Sequence, residues 1–256
     1  MRTKFSILVL LFVAITLSAQ DTLRIMTYNI ASGQFVDMPE LGEYFQKMQA
    51  DIVLLQEVEL RTYRPEAPLQ GGKNQMAELG YYTDMLPVFG KTNLYPTGGY
   101  YGLGILSQYH IIKLINVDLP QVVDKNEPRS MLVATWDING TPLTIATTHL
   151  SLDSRNREVQ MKYIRKYMRK IKGIKFICGD LNSSYVDGVV VRIFNKWNDA
   201  LPYKFTYPFP DANWKLDWML YEKKAPVEII ASDVDDSCGF SDHLPCYTDI
   251  VINAKK

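Results

Sequence analysis

Carboxylate, amide and imidazole side chains stand at the ends of several short apolar segments of this sequence. In chain order they are Asn29, Glu57, His149, Asp180, Asn182, Asp217, Asp242 and His243. Two of the three histidines in the chain belong to this set. Because side chains at strand ends project into clefts, we expect these groups to converge on one site.

Three of these residues, Asn29, Glu57 and Asp242, offer hard oxygen ligands. Such oxygens suit Mg²⁺, which binds one or two carboxylates and keeps several water molecules. The cysteine and histidine spacing does not match a zinc site. A magnesium ion polarises a phosphoryl oxygen and neutralises charge as phosphorus is attacked, so the pattern favours phosphate-ester hydrolysis. Taken singly, each residue also fits a turn, a helix cap or a solvated loop, so the interpretation depends on the whole set.

Short apolar and alternating segments recur between amphipathic ones and predict the elements that position these groups. Strands are predicted at 23–28, 51–55, 103–106, 131–136, 143–148, 175–178, 216–220 and 247–252. Helices are predicted over 39–49, 73–79 and 154–171. The chain shows no repeat, linker or strict βαβ rhythm, which indicates one domain with layered mixed sheets.

The N-terminus has the pattern of a secretory signal. Arg2 and Lys4 precede an apolar run at 5–17, and small residues follow at 18–19. The run is shorter than the roughly 20 apolar residues of a membrane span. We therefore expect a signal peptide at 1–19, a mature domain at 20–256 without a membrane span, and export to the periplasm or the extracellular space.

The charge balance disfavours a protein that coats nucleic acid. The chain has 28 basic and 28 acidic residues, and loss of Arg2 and Lys4 leaves 26 against 28, a net charge of −2. Strong nucleic-acid binders depend on an excess of Lys and Arg. An enzyme that contacts phosphate only locally remains compatible with this balance.

An exported protein meets oxidising conditions, which makes its three cysteines informative. Cys178 lies in an apolar run and is expected to be a buried thiol, whereas Cys238 and Cys246 bracket one loop and either pair or stay reduced. The odd number excludes a fully paired framework. The sequence makes no prediction of oligomeric state.

The predicted helix at 154–171 and its exit are strongly basic. Its charged residues are Arg155, Arg157, Lys162, Arg165, Lys166, Arg169, Lys170, Lys172 and Lys175, against Glu158. Such a face either attracts an anionic partner or forms the solvated side of an amphipathic helix. The second interpretation is favoured.

Six short motifs occur in a characteristic order: Thr-Tyr-Asn, Gln-Glu-Val, Thr-His-Leu, Gly-Asp-Leu-Asn, Leu-Asp-Trp and Ser-Asp-His-Leu-Pro. In this order they resemble the endonuclease/exonuclease/phosphatase superfamily, which includes DNase I, neutral sphingomyelinases and inositol polyphosphate 5-phosphatases. The resemblance covers residues 23–252. It implies an α/β fold in four layers, with two mixed β-sheets packed face to face and flanked by helices.

The resemblance also implies a metal site. Glu57 would be the principal Mg²⁺ ligand, with Asn29 and Asp242 beside it, and Mn²⁺ would be the substitute cation. Asp180 would orient or deprotonate the attacking water, although the motifs leave open whether His243 takes that proton.

Further roles follow from the same resemblance. Asn182 and His149 would bind the phosphoryl oxygens, and His243 would lie beside the scissile phosphate, hydrogen-bonded to Asp217. A carboxylate partner favours a charged imidazolium next to phosphate. Arg129 matches a position that contacts substrate phosphate, while pairing with Glu127 is the equally supported alternative.

Two positions depart from the family pattern. Leu103 stands where many relatives have Asn, and Lys215 stands where they usually have Arg. Neither change touches the expected metal ligands or the water-activating carboxylate.

Loops set specificity on such a fold, so the substrate is not fixed by the motifs. The loop at 61–73 and the aromatic loop at 203–210 are distinctive; Phe205, Tyr207 and Phe209 either bind ligand or pack on the core. The favoured function is an exported Mg²⁺-dependent phosphoesterase that acts on a small or lipid-type phosphate mono- or diester. A DNA or RNA nuclease is the alternative, and a non-catalytic binding module is the remote one.

Overall fold

The computed structural model describes residues 22–124 and 126–253. The signal peptide expected at 1–19 lies outside these residues. Strands are β1 (Leu23–Asn29), β2 (Ile52–Leu60), β3 (Leu86–Leu94), β4 (Tyr100–Ser107), β5 (Ile111–Asp118), β6 (Ser130–Ile138), β7 (Thr141–His149), β8 (Ile174–Asp180), β9 (Trp197–Asp199), β10 (Asp217–Glu222), β11 (Val227–Val234) and β12 (Cys246–Ile252). Helices are α1 (Met38–Lys47), α2 (Gln75–Thr83), α3 (Ser154–Met168) and α4 (Val189–Ile193).

The strands form two mixed sheets of six strands each. The first has the order β11-β12-β1-β2-β4-β3 and the second β5-β6-β7-β8-β10-β9. Within each sheet one central pair is parallel, β1 with β2 and β7 with β8, and the other pairs are antiparallel. Because the strands of each parallel pair run in the same direction, their carboxyl ends lie at the same end of the sheet.

Three buried apolar clusters define the layers. The cluster between the sheets includes Ile25 and Leu54 from the first sheet and Trp136 and Phe176 from the second. A second cluster packs α1 and α2 on the outer face of the first sheet, and a third packs α3 and α4 on the second. The predicted four-layer α/β sandwich, with two mixed β-sheets flanked by helices, is confirmed.

The eight predicted strands all form, and the four that the sequence did not predict are β3, β5, β9 and β11. These four are the edges of the two sheets. The predicted helices form with ends shifted by a few residues, and the short α4 was not predicted. Asp153 caps α3 through its carboxylate, which accepts hydrogen bonds from the N–H groups of Arg155 and Asn156.

Cys178, Cys238 and Cys246 are free, buried thiols, so the structure forms no Cys238–Cys246 disulfide. Of the helices in the described part of the chain, none is both long and apolar enough to span a membrane.

Candidate active site

The strand register brings three predicted site residues into one row of the second sheet. His149 ends β7 opposite Asp180 at the end of β8, and Asp180 is paired in turn with Asp217 at the start of β10. In the first sheet Asn29 ends β1 opposite Gln56 on β2, one residue before Glu57. The two sheets therefore present these groups at the same end of the sandwich.

Glu57 reaches the site through a bulge in β2. The sequence predicted that β2 ends near this residue, but β2 continues to Leu60 after a register shift between Gln56 and Val58. Glu57 is the extra residue of this bulge and has a φ of 58°. A bulge redirects one side chain without ending the strand, and its left-handed backbone is strained for a non-glycine residue.

Asp180 is the centre of the site. Its Oδ2 atom lies 3.4 Å from Nε2 of His149 and 3.6 Å from Nε2 of His243. Asn29 donates to the same oxygen at 3.3 Å, and the N–H of Asn182 donates to Oδ1 at 2.8 Å. Burial raises the pKa of Asp180 to about 7, with the charge of His243 acting in the opposite direction.

His243 is held between two carboxylates. Its Nδ1 atom lies 2.9 Å from Oδ2 of Asp217, on the side of the ring away from Asp180. Burial alone lowers the pKa of His243, but the charges of Asp217 and Asp180 outweigh it and raise the pKa to about 10. The imidazole is therefore a cation at neutral pH.

His149 has the opposite electrostatic environment. Burial lowers its pKa well below the ordinary value, and the charges of Arg129 and His243 lower it further. Its Nδ1 atom lies 3.4 Å from the hydroxyl of Tyr101 and 4.0 Å from Oε1 of Glu57. The two histidines that contact the Asp180 carboxylate therefore differ in charge state: His149 is neutral and His243 is protonated.

The predicted metal ligands lie together beside this carboxylate. Asn29 donates to Oε1 of Glu57 at 3.0 Å, and Asp242 lines the same cleft. Burial raises the pKa of Glu57 and the charge of Asp242 raises it further, while the Asn29 hydrogen bond lowers it. Within 22–124 and 126–253, no group of three or more His, Cys, Asp or Glu side chains is arranged so that it could by itself hold a metal ion. Two carboxylates that repel each other nevertheless fit Mg²⁺, which needs few protein ligands.

The site opens into a cleft of about 330 Å³. Arg129 lines it at 5% exposure, with Nη2 2.9 Å from Oε2 of Glu127, so the pair with Glu127 forms and the contact with substrate phosphate stays a prediction. The Nε and Nη1 atoms of Arg129 are buried without a hydrogen-bond partner. Asn182 also lines the cleft, although its side-chain amide donates to the carbonyl of Leu150 at 2.9 Å.

All the predicted site residues are thus brought together, and the cleft adds further residues. Arg64, Tyr101, Leu152 and Leu216 had no predicted role, whereas ligand binding was one of the two alternatives for Tyr207. Arg64 comes from the distinctive loop at 61–73, Tyr101 from the glycine-rich β4, and Tyr207 from the aromatic loop. The ring of Tyr207 lies 4.8 Å from that of His243. Loop composition was the only signal that could have indicated Arg64 and Tyr207.

The rest of the aromatic loop is divided between surface and core. Phe205 is 43% exposed, whereas Phe209 packs against the cluster between the sheets.

The two departures from the family pattern have structural explanations. Leu103 joins the apolar core, and Lys215 is buried with Nζ 3.2 Å from Oδ2 of Asp199.

Comparisons with known proteins agree with this architecture. A family model described as "Endonuclease/Exonuclease/phosphatase family" matches residues 26–243. A solved endonuclease/exonuclease/phosphatase from Beutenbergia cavernae is 20% identical, with a TM-score of 0.73 over 91% of this chain and 72% of that one. A family protein from Bacteroides thetaiotaomicron is 13% identical, with a TM-score of 0.74 over 91% of this chain and 99% of its own.

A further solved structure is a mannosyl-6-phosphatase from Bacteroides thetaiotaomicron. It is 13% identical, with a TM-score of 0.72 over 90% of this chain and 99% of its own. At these identities the structures show a shared fold. No curated protein matches the sequence significantly. The family model covers most of the chain and agrees with its two-sheet sandwich, so this chain belongs to the endonuclease/exonuclease/phosphatase family.

Proposed function

We propose that the protein is an exported, Mg²⁺-dependent phosphoesterase that hydrolyses a small or lipid-type phosphate ester by attack of water on phosphorus. The main support is the buried Asp180 carboxylate, which lies between two imidazoles and beside Glu57. A carboxylate with a pKa of about 7 is matched to proton transfer near neutral pH. Strongly perturbed carboxylates in clefts are typical of catalytic sites.

The two groups that compete for the proton of water differ in charge state. His243, with a pKa of about 10, already carries its proton at neutral pH. Asp180 is partly ionised there and accepts a proton readily. We therefore assign the base to Asp180, and to the His243 cation the stabilisation of charge on the phosphoryl group. Asp217 holds the ring in this orientation.

Glu57 and Asp242 would hold the divalent cation, and Asn29 would fix the Glu57 carboxylate through its amide. When bound, such a cation polarises a phosphoryl oxygen and neutralises developing charge. Arg129 would donate charge-assisted hydrogen bonds to the phosphate, since its guanidinium lines the cleft and its Nε and Nη1 atoms lack hydrogen-bond partners. His149 would offer a neutral donor to a phosphoryl oxygen.

Two observations favour a small phosphate ester over nucleic acid. The cleft has a volume of about 330 Å³, and three basic residues of α3, Lys162, Arg165 and Lys166, line a different cavity. A nuclease needs a basic groove that tracks the phosphate backbone. The structurally similar mannosyl-6-phosphatase acts, as its name says, on a sugar phosphate, which is consistent with this preference.

A panel of substrates tests the function. Sugar phosphates, nucleotide monophosphates, phosphocholine esters and supercoiled plasmid are incubated with Mg²⁺ and either wild type or Glu57→Ala. We expect EDTA-sensitive release of phosphate or phosphocholine from small esters by the wild type alone. Plasmid nicking without small-ester hydrolysis would favour the nuclease. Activity that persists in both EDTA and Glu57→Ala would contradict the metal-dependent mechanism.

A further inference from the structure

A second cavity lies on the outer side of the second sheet, beside α3, α4 and β9. Its volume is about 610 Å³, larger than that of the catalytic cleft. Its lining is Lys162, Arg165, Lys166, Arg169, Ile193, Asn195, Lys196, Trp197 and Glu222. Five of these nine residues are cationic, while Ile193 and Trp197 are buried and supply an apolar wall.

The positive charge of this cavity is largely uncompensated. Its single carboxylate, Glu222, is already paired with Lys175, at 2.9 Å between Nζ and Oε2. Lys162 pairs with Glu158 at 2.7 Å. Arg165 donates one N–H to the carbonyl of Ile193 at 3.0 Å, a contact that leaves its charge in place.

Three cations remain without an anionic neighbour. Across the described segments, Lys166, Arg169 and Lys196 form no ion pair or side-chain hydrogen bond, and all three are exposed. Like charges that converge on a concave surface repel one another and concentrate the surrounding electrostatic potential. In a mature chain whose expected net charge is −2, this concentration of cations is a local property and does not reflect overall composition.

The cavity is separate from the catalytic cleft. Helix α3 starts five residues after His149 and connects β7 to the parallel strand β8, so it must return from the carboxyl ends of these strands, where the cleft lies, toward their amino ends. At about 1.5 Å per residue, Lys162 to Arg169 lie roughly 12–22 Å along the helix from its start. None of the cavity residues lines the cleft.

We propose that this cavity is a second, non-catalytic anion site that binds a multiply charged phosphate, either a free oligophosphate or a phosphate-bearing lipid headgroup. Three unpaired cations on one concave surface favour a ligand with several negative charges. Phosphate groups supply these charges together with acceptors for the planar fork of Arg169. The apolar wall formed by Ile193 and Trp197 limits the hydration of the bound anion, which strengthens each contact.

Calorimetric titration of the metal-free protein with tripolyphosphate in EDTA tests the site. The variant Lys166→Glu/Lys196→Glu should bind about a hundredfold more weakly, because two charge-assisted contacts become two repulsions. The matched control Lys47→Glu/Lys91→Glu makes the same change in net charge on exposed lysines of α1 and β3 and should bind within twofold of wild type. Equal weakening in both variants would show a net-charge effect and overturn the proposal.

Amide chemical shifts locate the ligand and separate its two sources. We expect tripolyphosphate to perturb residues of α3 and α4, and absence of binding or perturbation confined to the catalytic cleft would refute a second site. Sedimentation with phosphatidic acid vesicles is the other arm. If vesicle binding is lost in Lys166→Glu/Lys196→Glu and kept in the control, the source is a lipid headgroup; if tripolyphosphate alone binds, it is a free oligophosphate.

Discussion

The Nδ1 atom of His243 and the Oδ2 atom of Asp217 lie 2.9 Å apart in the buried interior, and the other oxygen of Asp217 has no hydrogen-bond partner. The opposite nitrogen of the ring faces Asp180 at 3.6 Å. The imidazole therefore bridges two carboxylates from neighbouring strands. Its charge and its orientation both depend on Asp217, which supplies the shorter contact.

Replacement of this partner should change the charge of the ring. In Asp217→Asn we expect the pKa of His243 to fall from about 10, by about 1 or more, because one of its two carboxylate charges is lost. Proton NMR of the three histidines measures this, with the exposed His110 as an internal reference that should not move. An unchanged His243 titration together with full activity would contradict the assigned role.

The ionisation of Asp180 should set the acidic limb of the pH–rate profile. Its pKa is raised to about 7, so the carboxylate needed as base is lost as pH falls below that value. At constant Mg²⁺ we expect kcat/KM to drop about tenfold per pH unit there, and Asp180→Asn to lose about 10²–10⁴-fold in kcat while its circular dichroism is unchanged. A rate that stays level down to pH 5 would argue against Asp180 as the base.

Removal of the Glu57 carboxylate should abolish the response to metal. For the wild type we expect Mg²⁺ to raise the melting temperature, since a ligand that binds only the folded state stabilises it. In Glu57→Gln this shift and the Mg²⁺-dependent activity should both disappear. Glu43→Gln removes an exposed carboxylate of α1 and serves as the control. Retention of the Mg²⁺ shift in Glu57→Gln would place the metal elsewhere.

Lys215 should be essential for stability through its charge. It is 1% exposed, with Nζ 3.2 Å from Oδ2 of Asp199, whose side chain is 8% exposed. Lys215→Met leaves an uncompensated carboxylate and should lower the free energy of unfolding by about 3–5 kcal/mol, measured in urea. The double variant Lys215→Met/Asp199→Asn removes both charges and should recover much of the loss. A double variant no more stable than the single one would show that packing dominates.

The three thiols should be unreactive in the folded protein. Burial raises the pKa of Cys178 and Cys246 well above the ordinary value, so both stay protonated. The free energy of unfolding should therefore not depend on the ionisation of these thiols below a pH of about 9. It should fall as the pH rises past that value, because the thiols ionise in the unfolded chain while they stay protonated in the folded one. A thiol reagent at pH 8 should titrate three groups only after unfolding. Two missing thiols would instead indicate a Cys238–Cys246 disulfide.

The sequence predicted the interior of this fold better than its edges. Strands such as β2 and β8 are buried on both faces, so each contains an uninterrupted apolar run, at 52–55 and 176–178, that makes the pattern plain. Edge strands such as β5 and β11 alternate irregularly between exposed and half-buried residues and resemble loops. Their pairing is decided by the neighbouring strand, which local sequence does not show.

The site shows the same division. The types and positions of Glu57, Asp180 and His243 were readable because each follows or lies in a recognisable segment. The bulge that aims Glu57 was not readable, since its backbone depends on pairing with β4. Likewise, Arg64 and Tyr207 reach the cleft through loops whose paths are set by tertiary contacts.

The left-handed backbone of Glu57 lowers the stability of the fold, although the proposed catalysis needs the glutamate itself. A non-glycine residue at φ 58° costs about 1–3 kcal/mol, which Gly would largely avoid. Laboratory evolution under selection for heat resistance alone should therefore drift toward Gly or Asn at position 57 and lose turnover on the way. Selection that alternates heat with a requirement for catalysis should instead keep the glutamate and accumulate compensating substitutions elsewhere in the sandwich.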